Sequence, residues 1–380
     1  MSHARRVLAL AAAVLATVAA TPASALPSIH AHRGGTVTNG KPTSGEESLA
    51  AYRQAARNGF TLEVDAKLTE DRVPVAIHDP TLDRTTNCTG EVRTFTLAEL
   101  GGCRTDTPAG KPAPIITIRS LLRFAKRAGA EVNLEIKNVP TDPDYDTTPG
   151  YANTVMDAVI ASGIPRKQLI VQSFIPANLD VASQRLPGVR TSLLSLQSFN
   201  ELFLQAAADK HYDLISPEWP VSAGYVKRAH DMGLDVAPFT LDTAADVRGA
   251  RKARVDAVIT DDPLMAGRAL GLRPPRFFSA SAFIDGPRLV ATGDLLTPRG
   301  VTARQGCRGR ITMRVMIGDR LTRTVRGRLN RNCEFFFGTH RTPPRLGPPT
   351  VTVRFEGNGK LLPRLVGPFV AQLKPPVFTP

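Results

Sequence analysis

From residue 28 to about residue 270 the chain alternates short apolar runs with stretches of helical period, and this alternation restricts its fold more than any other feature. The runs lie at 29–33, 61–67, 73–78, 131–136, 168–173, 189–194, 212–216, 234–240 and 255–260. Between them fall helical patterns at 46–58 (Leu49, Tyr52 and Ala56 on one face), 117–128, 151–162, 176–185, 199–209, 222–232, 243–252 and 262–270. Strands that alternate with helices pair in parallel, and roughly 240 residues is the length of one (β/α)8 TIM barrel. Nine runs are one too many. The segment from Leu62 to His78 has no room for a helix, so it reads as a hairpin with Asp71-Arg72 at its tip. Pairing about that tip sets Asp65 opposite His78.

The flanks obey other rules. Arg5 and Arg6 precede an apolar run from Val7 to Ala20, and Ala23-Ser24-Ala25 supplies a small-residue cleavage pattern. Residues 1–25 therefore read as a secretory signal, and no later stretch reaches the ~18 apolar residues of a spanning helix. Export favours disulfides, and the four cysteines form two local pairs, Cys88 with Cys103 and Cys307 with Cys333. Residues 79–115, rich in Thr, Gly and Pro, read as an insertion over one face of the barrel, stapled by the first pair. The net charge of +14 belongs entirely to residues 273–380, which hold 19 Lys and Arg against 5 Asp and Glu. That shift divides a barrel at 26–273 from a basic domain at 274–380. In the latter, Ile311, Met313, Val315 and Ile317 alternate with polar neighbours, as do Val351, Val353 and Phe355, and Gly-Asn-Gly at 357–359 marks a turn. An all-β sandwich pinned by Cys307–Cys333, immunoglobulin-like, fits.

Several barrel strands end in groups that water normally claims: His30 and His32, Glu63 and Asp65, His78 and Asp79, Glu135 and Lys137. Burying such groups singly is costly, and strand ends that converge are how a parallel barrel builds a site. The runs His32-Arg33-Gly34, Glu46–Tyr52 (EESLAAY), Glu63-x-Asp65, Ile77–Thr86 (IHDPTLDRTT), Leu134–Lys137 (LEIK) and Ile259–Pro263 (ITDDP) together resemble the glycerophosphodiester phosphodiesterase family over about residues 28–270. The resemblance implies a TIM-barrel hydrolase that uses a divalent cation and two histidines to split a glycerophosphodiester into an alcohol and glycerol 3-phosphate. It assigns acid and base to His32 and His78 without fixing which is which. It also implies first attack by the substrate's own glycerol hydroxyl, through a cyclic phosphate.

The residue chemistry agrees. Glu63, Asp65 and Glu135 offer hard oxygen ligands suited to one Ca²⁺ or Mg²⁺ rather than zinc. Arg33 and Lys137 can neutralise a phosphodiester and the added charge of its transition state. Imidazoles with pKa near neutrality suit proton transfer. Each residue taken alone has a structural reading: Glu63 and Asp65 as salt-bridge partners of Arg33 or Lys67, and His30 as a core histidine facing away from His32. Glu46, opening helix 46–58, either touches substrate or complements the helix dipole. Gln172-Ser173-Phe174 would shape the pocket floor. Where the family often has a tryptophan in a WTVN-like strand end, this chain has Phe239-Thr240-Leu241-Asp242, and Trp219 is placed to fill the same space.

Two other readings compete: a phospholipase C- or D-like enzyme acting on intact phospholipid, and a non-catalytic surface-binding protein. Removal of 275–380 separates the last from an enzyme, which should keep its turnover. The basic segment is either a solvated arginine face or a holder of an anionic cell-wall polymer. Nucleic acid is excluded as a partner by export and by the lack of interleaved aromatics. A secreted monomer is expected.

Overall fold

The computed structural model describes residues 26–108, 112–197, 201–340 and 348–373, and in it the alternation becomes a barrel. The expected leader, residues 1–25, lies outside the described residues. Strands β1 (Ser28–Ala31), β2 (Thr61–Leu68), β3 (Pro74–Ala76), β4 (Val132–Ile136), β5 (Leu169–Ser173), β6 (Arg190–Ser195), β7 (Leu214–Pro217), β8 (Asp235–Val236) and β9 (Ala257–Thr260) form one sheet. All but β3 run parallel, in the order β8-β7-β6-β5-β4-β2-β1-β9. The sheet closes where Asp256 N–H donates to Val236 O (2.9 Å) and Ile259 N–H to Pro238 O (3.1 Å). Eight helices, α1 (Leu49–Arg57), α2 (Ile118–Ala128), α3 (Gly150–Ser162), α4 (Pro176–Arg185), α5 (Glu201–Asp209), α6 (Ala223–Asp231), α7 (Ala244–Ala253) and α8 (Pro263–Ala269), surround it.

Strand alternation sorts the side chains into two layers. Leu62, Val64, Ala66, Leu134, Val171 and Val258 pack outward against the helices, in the main hydrophobic core. Ile170, Leu214, Ala237 and Ala257 plug the lower interior of the barrel. Above that plug sit His30, Asn133, Gln172, Ser192 and Ser216, all buried, and then the charged strand ends. His30 therefore does not face away from His32. His30 on β1 turns into the barrel interior and His32, just past the end of β1, lines the cavity at its mouth; His30 Nδ1 lies 3.4 Å from Asn133 Nδ2, whose amide also bonds Gln172. It is a core histidine as expected, held neutral because burial pushes its pKa down to about 3, with the Arg190 charge adding to the effect.

The hairpin forms, with its register one residue from the expected one. Ala66 stands opposite Ala76, which puts Asp65 against Ile77 rather than His78. The loop closes from Thr69 to Val73, and Thr69 Oγ1 donates to Asp71, so Asp71 alone occupies the tip. A five-residue turn shifts the pairing sum by one relative to a tip of two. Val75 and Ile77, on and just after β3, form a small separate core with Leu82, Val92, Leu100 and Cys103, and Cys88–Cys103 closes a loop beside it with Cα atoms 5.6 Å apart.

The C-terminal segment is all-β. One sheet contains β10 (Ser281–Asp285), β11 (Arg288–Leu296) and β14 (Glu334–His340); the other orders β13 (Arg320–Arg328), β12 (Arg310–Ile317), β15 (Thr350–Phe355) and β16 (Arg364–Val370). Phe278, Phe335 and Phe355 meet between them, and Cys307–Cys333 closes one end. The expected alternation holds from Ile311 to Val315. A bulge at Val315/Met316 then flips the strand, so Met316 is buried in place of Ile317.

This segment docks on the end of the barrel opposite the strand C-termini. Arg314 donates to Lys126 O (3.0 Å), Arg354 to Gly129 O (3.4 Å) and Gly59 O (3.5 Å), and Arg364 to Asn58 Oδ1 (2.6 Å). These are the C-terminal ends of α1 and α2, where free carbonyls and the negative end of the helix dipole attract cations. Leu362 and Leu365 join the barrel's own core. Cutting the chain at residue 275 therefore uncovers part of that core as well as removing the two β-sheets.

Two outcomes follow for equilibrium denaturation. Leu362→Ala lowers the unfolding free energy of the barrel by about 2–5 kcal/mol, since its side chain is buried. Replacing Cys88 and Cys103 by serine costs about 3 kcal/mol in the chain-entropy picture. An unchanged denaturation midpoint in either variant contradicts the packing described.

Candidate active site

After β1 the chain turns sharply through His32, Arg33 and Gly34. Arg33 adopts a left-handed φ of 50°, and a Cβ on Gly34 would lie 2.7 Å from the Ala51 Cβ. Only glycine lets the turn pack against α1. This arrangement points Arg33 N–H at Glu63 Oε2 (2.8 Å) and the guanidinium at Glu46 (3.1 Å) and Asp65 (3.4 Å). Lys137, one residue beyond β4, places Nζ 3.1 Å from Glu135 and 3.5 Å from Asp65.

One cavity of about 340 Å³ opens at this end of the barrel. His32, Arg33, Glu63, His78, Glu135, Lys137 and Gln172 line it. Phe174 and Phe239, edge to face at 6.2 Å, line it as well, with Lys137 Nζ 5.8 Å from the centre of the Phe174 ring. Seven of the expected residues, His32, His78, Arg33, Lys137, Glu63, Glu135 and Phe239, line this one cavity, and Asp65 is buried beside Arg33 (3.4 Å) and Lys137 (3.5 Å).

Two expected residues stand elsewhere. Trp219 does not fill the space beside Phe239: its indole N–H donates to Asp246 Oδ1 (2.9 Å) and its ring covers Gly249 on α7. Tryptophan in a partly buried position goes where its N–H finds an acceptor. Glu46 does not open a helix, because Ser48 caps α1 and the first turn begins at Leu49. Instead Glu46 bridges Arg33 and Arg84, the latter through two bonds of 2.9 and 2.7 Å. Lys67, offered as a partner for the acids, is fully buried and is held by Asp142 (2.6 Å) and Asp144 (2.9 Å).

Groups that sequence reasoning passed over complete the ring. Asp261 Oδ1 bonds His32 Nδ1 at 2.7 Å, and Asp79 Oδ1 bonds His78 Nδ1 at 2.6 Å. Arg84 donates to Asp79 (2.6 and 2.9 Å) and so ties His78 to Glu46. Glu47, buried, accepts from Tyr52 Oη–H and from Asp65 N–H (3.1 Å). Asp79 was visible as the neighbour of His78, but Asp261 becomes a partner of His32 only through the parallel register of β1 and β9, which aligns His30 with Ile259.

Electrostatics separate the two histidines. Burial lowers the His32 pKa, but the Asp261 hydrogen bond and the Glu63 and Asp261 charges outweigh it against Arg33, and the net movement is upward. His78 moves down: burial leads, Lys137 and Arg33 add to it, and Asp65 and Asp79 oppose. Glu63, Asp65 and Glu135 bring ligand oxygens within 4.8 Å of one another. Burial and mutual repulsion push Glu63 up to about 7 and Glu135 up to about 8, while Lys137, the histidines and Arg33 hold Asp65 far below the usual carboxylate range despite its burial. Both Asp65 carboxylate oxygens and Glu135 Oε1 are buried with no hydrogen-bond partner among the described residues. Three acids this close, with oxygens held only by the ion pairs to Arg33 and Lys137 and with only hard ligands, fit a divalent cation.

A mouth of this kind suits hydrolysis of a phosphodiester, and it places the chain among TIM-barrel phosphodiesterases. The profile of the Glycerophosphoryl diester phosphodiesterase family matches residues 32–265, and the chain belongs to that family. It is 29% identical over 222 residues to a glycerophosphodiester phosphodiesterase of Caldanaerobacter subterraneus, covering 57% of this chain and 89% of that protein. Over 71 residues it is 46% identical to human glycerophosphodiester phosphodiesterase 1, a match of 18% of this chain and 20% of the human one. The fold is similar to that of an Oleispira antarctica phosphodiesterase solved with sn-glycerol-3-phosphate, with a TM-score of 0.52 at 21% identity, covering 64% of this chain and 97% of that one. A Parabacteroides distasonis glycerophosphoryl diester phosphodiesterase gives 0.53 at 21%, covering 66% and 88%. The chain is an enzyme of this class.

The raised carboxylate values set a pH dependence. Glu63 and Glu135 bind protons more tightly in the fold than in the unfolded chain, so the cation-free protein loses stability as pH climbs from the ordinary glutamate range through about 7 and 8. A cation must displace those protons. Added Ca²⁺ should therefore raise the thermal midpoint more at pH 8 than at pH 6, with apparent affinity at least ~10-fold higher at pH 8. Calorimetry at both pH values checks this, and equal shifts contradict it.

Proposed function

We propose that the enzyme is a secreted, metal-dependent hydrolase that releases glycerol 3-phosphate and an alcohol from glycerophosphodiesters by two-histidine acid–base catalysis. The observation that carries this reading is the convergence of three buried acids and two oppositely perturbed histidines on one cavity. Glu63, Asp65 and Glu135 would hold one Ca²⁺ or Mg²⁺. When bound, the ion supplies positive charge for the phosphoryl oxygens and the charge that develops on them. Arg33 binds two of those oxygens through its planar fork, and Lys137 adds a point charge.

The aspartates orient the imidazoles. Nδ1–H of each histidine donates to its carboxylate, which leaves Nε2 as the working nitrogen. His78, displaced toward the neutral form, takes the proton of the attacking hydroxyl, whether from water or from the substrate's own glycerol. His32, displaced toward the charged form, gives a proton to the leaving oxygen. Glu46 with Arg84 positions Arg33, and Phe239 and Phe174 pack against the apolar parts of the substrate.

Export is proposed from the leader pattern and from two disulfides with no free cysteine among the described residues. Among those residues no helix is long and apolar enough to cross a membrane. Residues 26–273 act as the catalytic barrel, and 274–380 as an accessory domain, read as an immunoglobulin-like sandwich, whose partner is an anionic wall polymer.

Purified protein should release glycerol 3-phosphate from glycerophosphocholine, followed by ³¹P NMR, and a chelator should abolish release until Ca²⁺ or Mg²⁺ is restored. His32→Ala and His78→Ala should each lower kcat by about 10²–10⁴. Turnover that survives chelation, or that survives loss of both imidazoles, sinks the mechanism.

A further inference from the structure

We propose that the groove between the lower end of the barrel and the β13-β12-β15 sheet binds a linear, phosphate-rich polyanion. The proposal rests on the accessory-domain reading above and not on the catalytic one. The groove encloses about 720 Å³, and Lys167, Arg310, Arg314, Arg326, Arg328 and Arg354 line it. Two acids, Glu131 and Glu356, also line it.

The cations divide into two groups. Arg314 and Arg354 are committed to helix carbonyls, and Arg354 also pairs with Glu356 at 3.1 Å. Arg310, Arg326, Arg328 and Lys167 have no ion pair or side-chain hydrogen bond among the described residues. Arg310 stands directly opposite Arg328 in the antiparallel ladder, and Arg326 opposes Thr312. Directly opposed like charges, with Cβ atoms about 5 Å apart, destabilise a sheet unless an anion lies between them. Nothing in the fold of β12 and β13 calls for this pairing.

The spacing identifies the ligand. Arg310 and Arg328 face each other across the ladder and Arg326 lies two residues, about 7 Å, further along β13, so the cations offer two successive positions of positive charge rather than one focus. A single phosphate wants donors that converge on one point, whereas spaced cations meet successive charges along a chain. No aromatic side chain lines the groove, which leaves nucleic acid bases without a stacking platform. The groove opens at the end of the barrel away from the catalytic cavity, so a bound polymer leaves that cavity free.

The test uses the full chain and end-labelled long-chain inorganic polyphosphate, with fluorescence anisotropy read across a salt series. The groove triple is Arg310→Ser, Arg326→Ser and Arg328→Ser. The comparator, Arg119→Ser, Arg248→Ser and Arg268→Ser, removes the same charge from exposed arginines on α2, α7 and α8. The groove triple should bind at least ~10-fold more weakly, with the log–log salt slope shallower by about two to three, while the comparator changes less than about twofold. Turnover of glycerophosphocholine should be the same in all three proteins. Equal weakening in both triples would show unspecific charge and overturn the site; so would absence of polyphosphate binding at low salt. Tighter binding of single-stranded DNA than of polyphosphate would overturn the ligand class. If the triple unfolds early, the single reversal Arg326→Glu carries the same comparison. Loss of turnover in the wild type would strike the catalytic reading alone and leave the anisotropy result standing.

Discussion

Everything at the upper end of the barrel depends on an unbalanced cluster of buried charge. Glu63, Asp65 and Glu135 crowd within 4.8 Å, with Arg33 and Lys137 as the cations paired to them. Water cannot relieve their repulsion, because all three are buried. The protein meets the excess by giving Asp65 both cations and forcing Glu63 and Glu135 toward their protonated forms. Rigid parallel strands make this tolerable: β2 and β4 are locked in register with Asp65 beside Glu135, so the acids cannot move apart. A soft scaffold would collapse such a cluster into separate ion pairs, and the barrel keeps it open to a third positive charge.

A second ring of groups turns that cluster into a directional site. Asp79 and Asp261 hold the two imidazoles, Glu46 and Arg84 link Arg33 to Asp79, and Glu47 fixes the backbone of Asp65. The ring explains why an insertion at 79–115 packs on a small core with β3 and carries a disulfide. Arg84 lies within it, and its geometry decides where Asp79 and hence His78 can sit. Two successive charge-assisted bonds, Arg84 to Asp79 and Asp79 to His78, thus lead from the stapled segment to the imidazole.

The fold was largely legible because the alternation of strand and helix is local and every barrel strand buries an apolar outer face. What was not legible depends on register. The hairpin slipped by one because turn length, fixed by Thr69 and Asp71, sets pairing. Asp261 could not be joined to His32 without knowing that β1 and β9 are neighbours, and the bulge at Met316 had no signal in the pattern. His30 is a different kind of miss: positions two apart on a strand share a face, and period-2 reasoning should have placed it beside His32 from the start. Of the site, the three clustered acids and the histidines were readable as polar groups where apolar ones were due. Trp219 and Glu46 were misplaced because each followed a specific hydrogen-bonding partner, Asp246 and Arg84, that lies far away in the sequence.

The basic C-terminal segment shows how one composition can serve two purposes. A (β/α)8 barrel points the C-terminal ends of its helices at the face opposite the site, and those ends present unpaired carbonyls. An arginine-rich sheet is a natural cover for that face, and Arg314 and Arg354 are used in that way, while Arg364 reaches the Asn58 side chain at the end of α1. Docking, however, consumes few of the guanidinium groups. Arg326 and Arg328 on β13 make no side-chain hydrogen bond among the described residues, and the opposition of Arg310 and Arg328 adds repulsion that a purely structural cover has no reason to carry. Stability alone would favour a glutamate at one of those two positions. That it is absent is a physical argument for a ligand that brings its own negative charge.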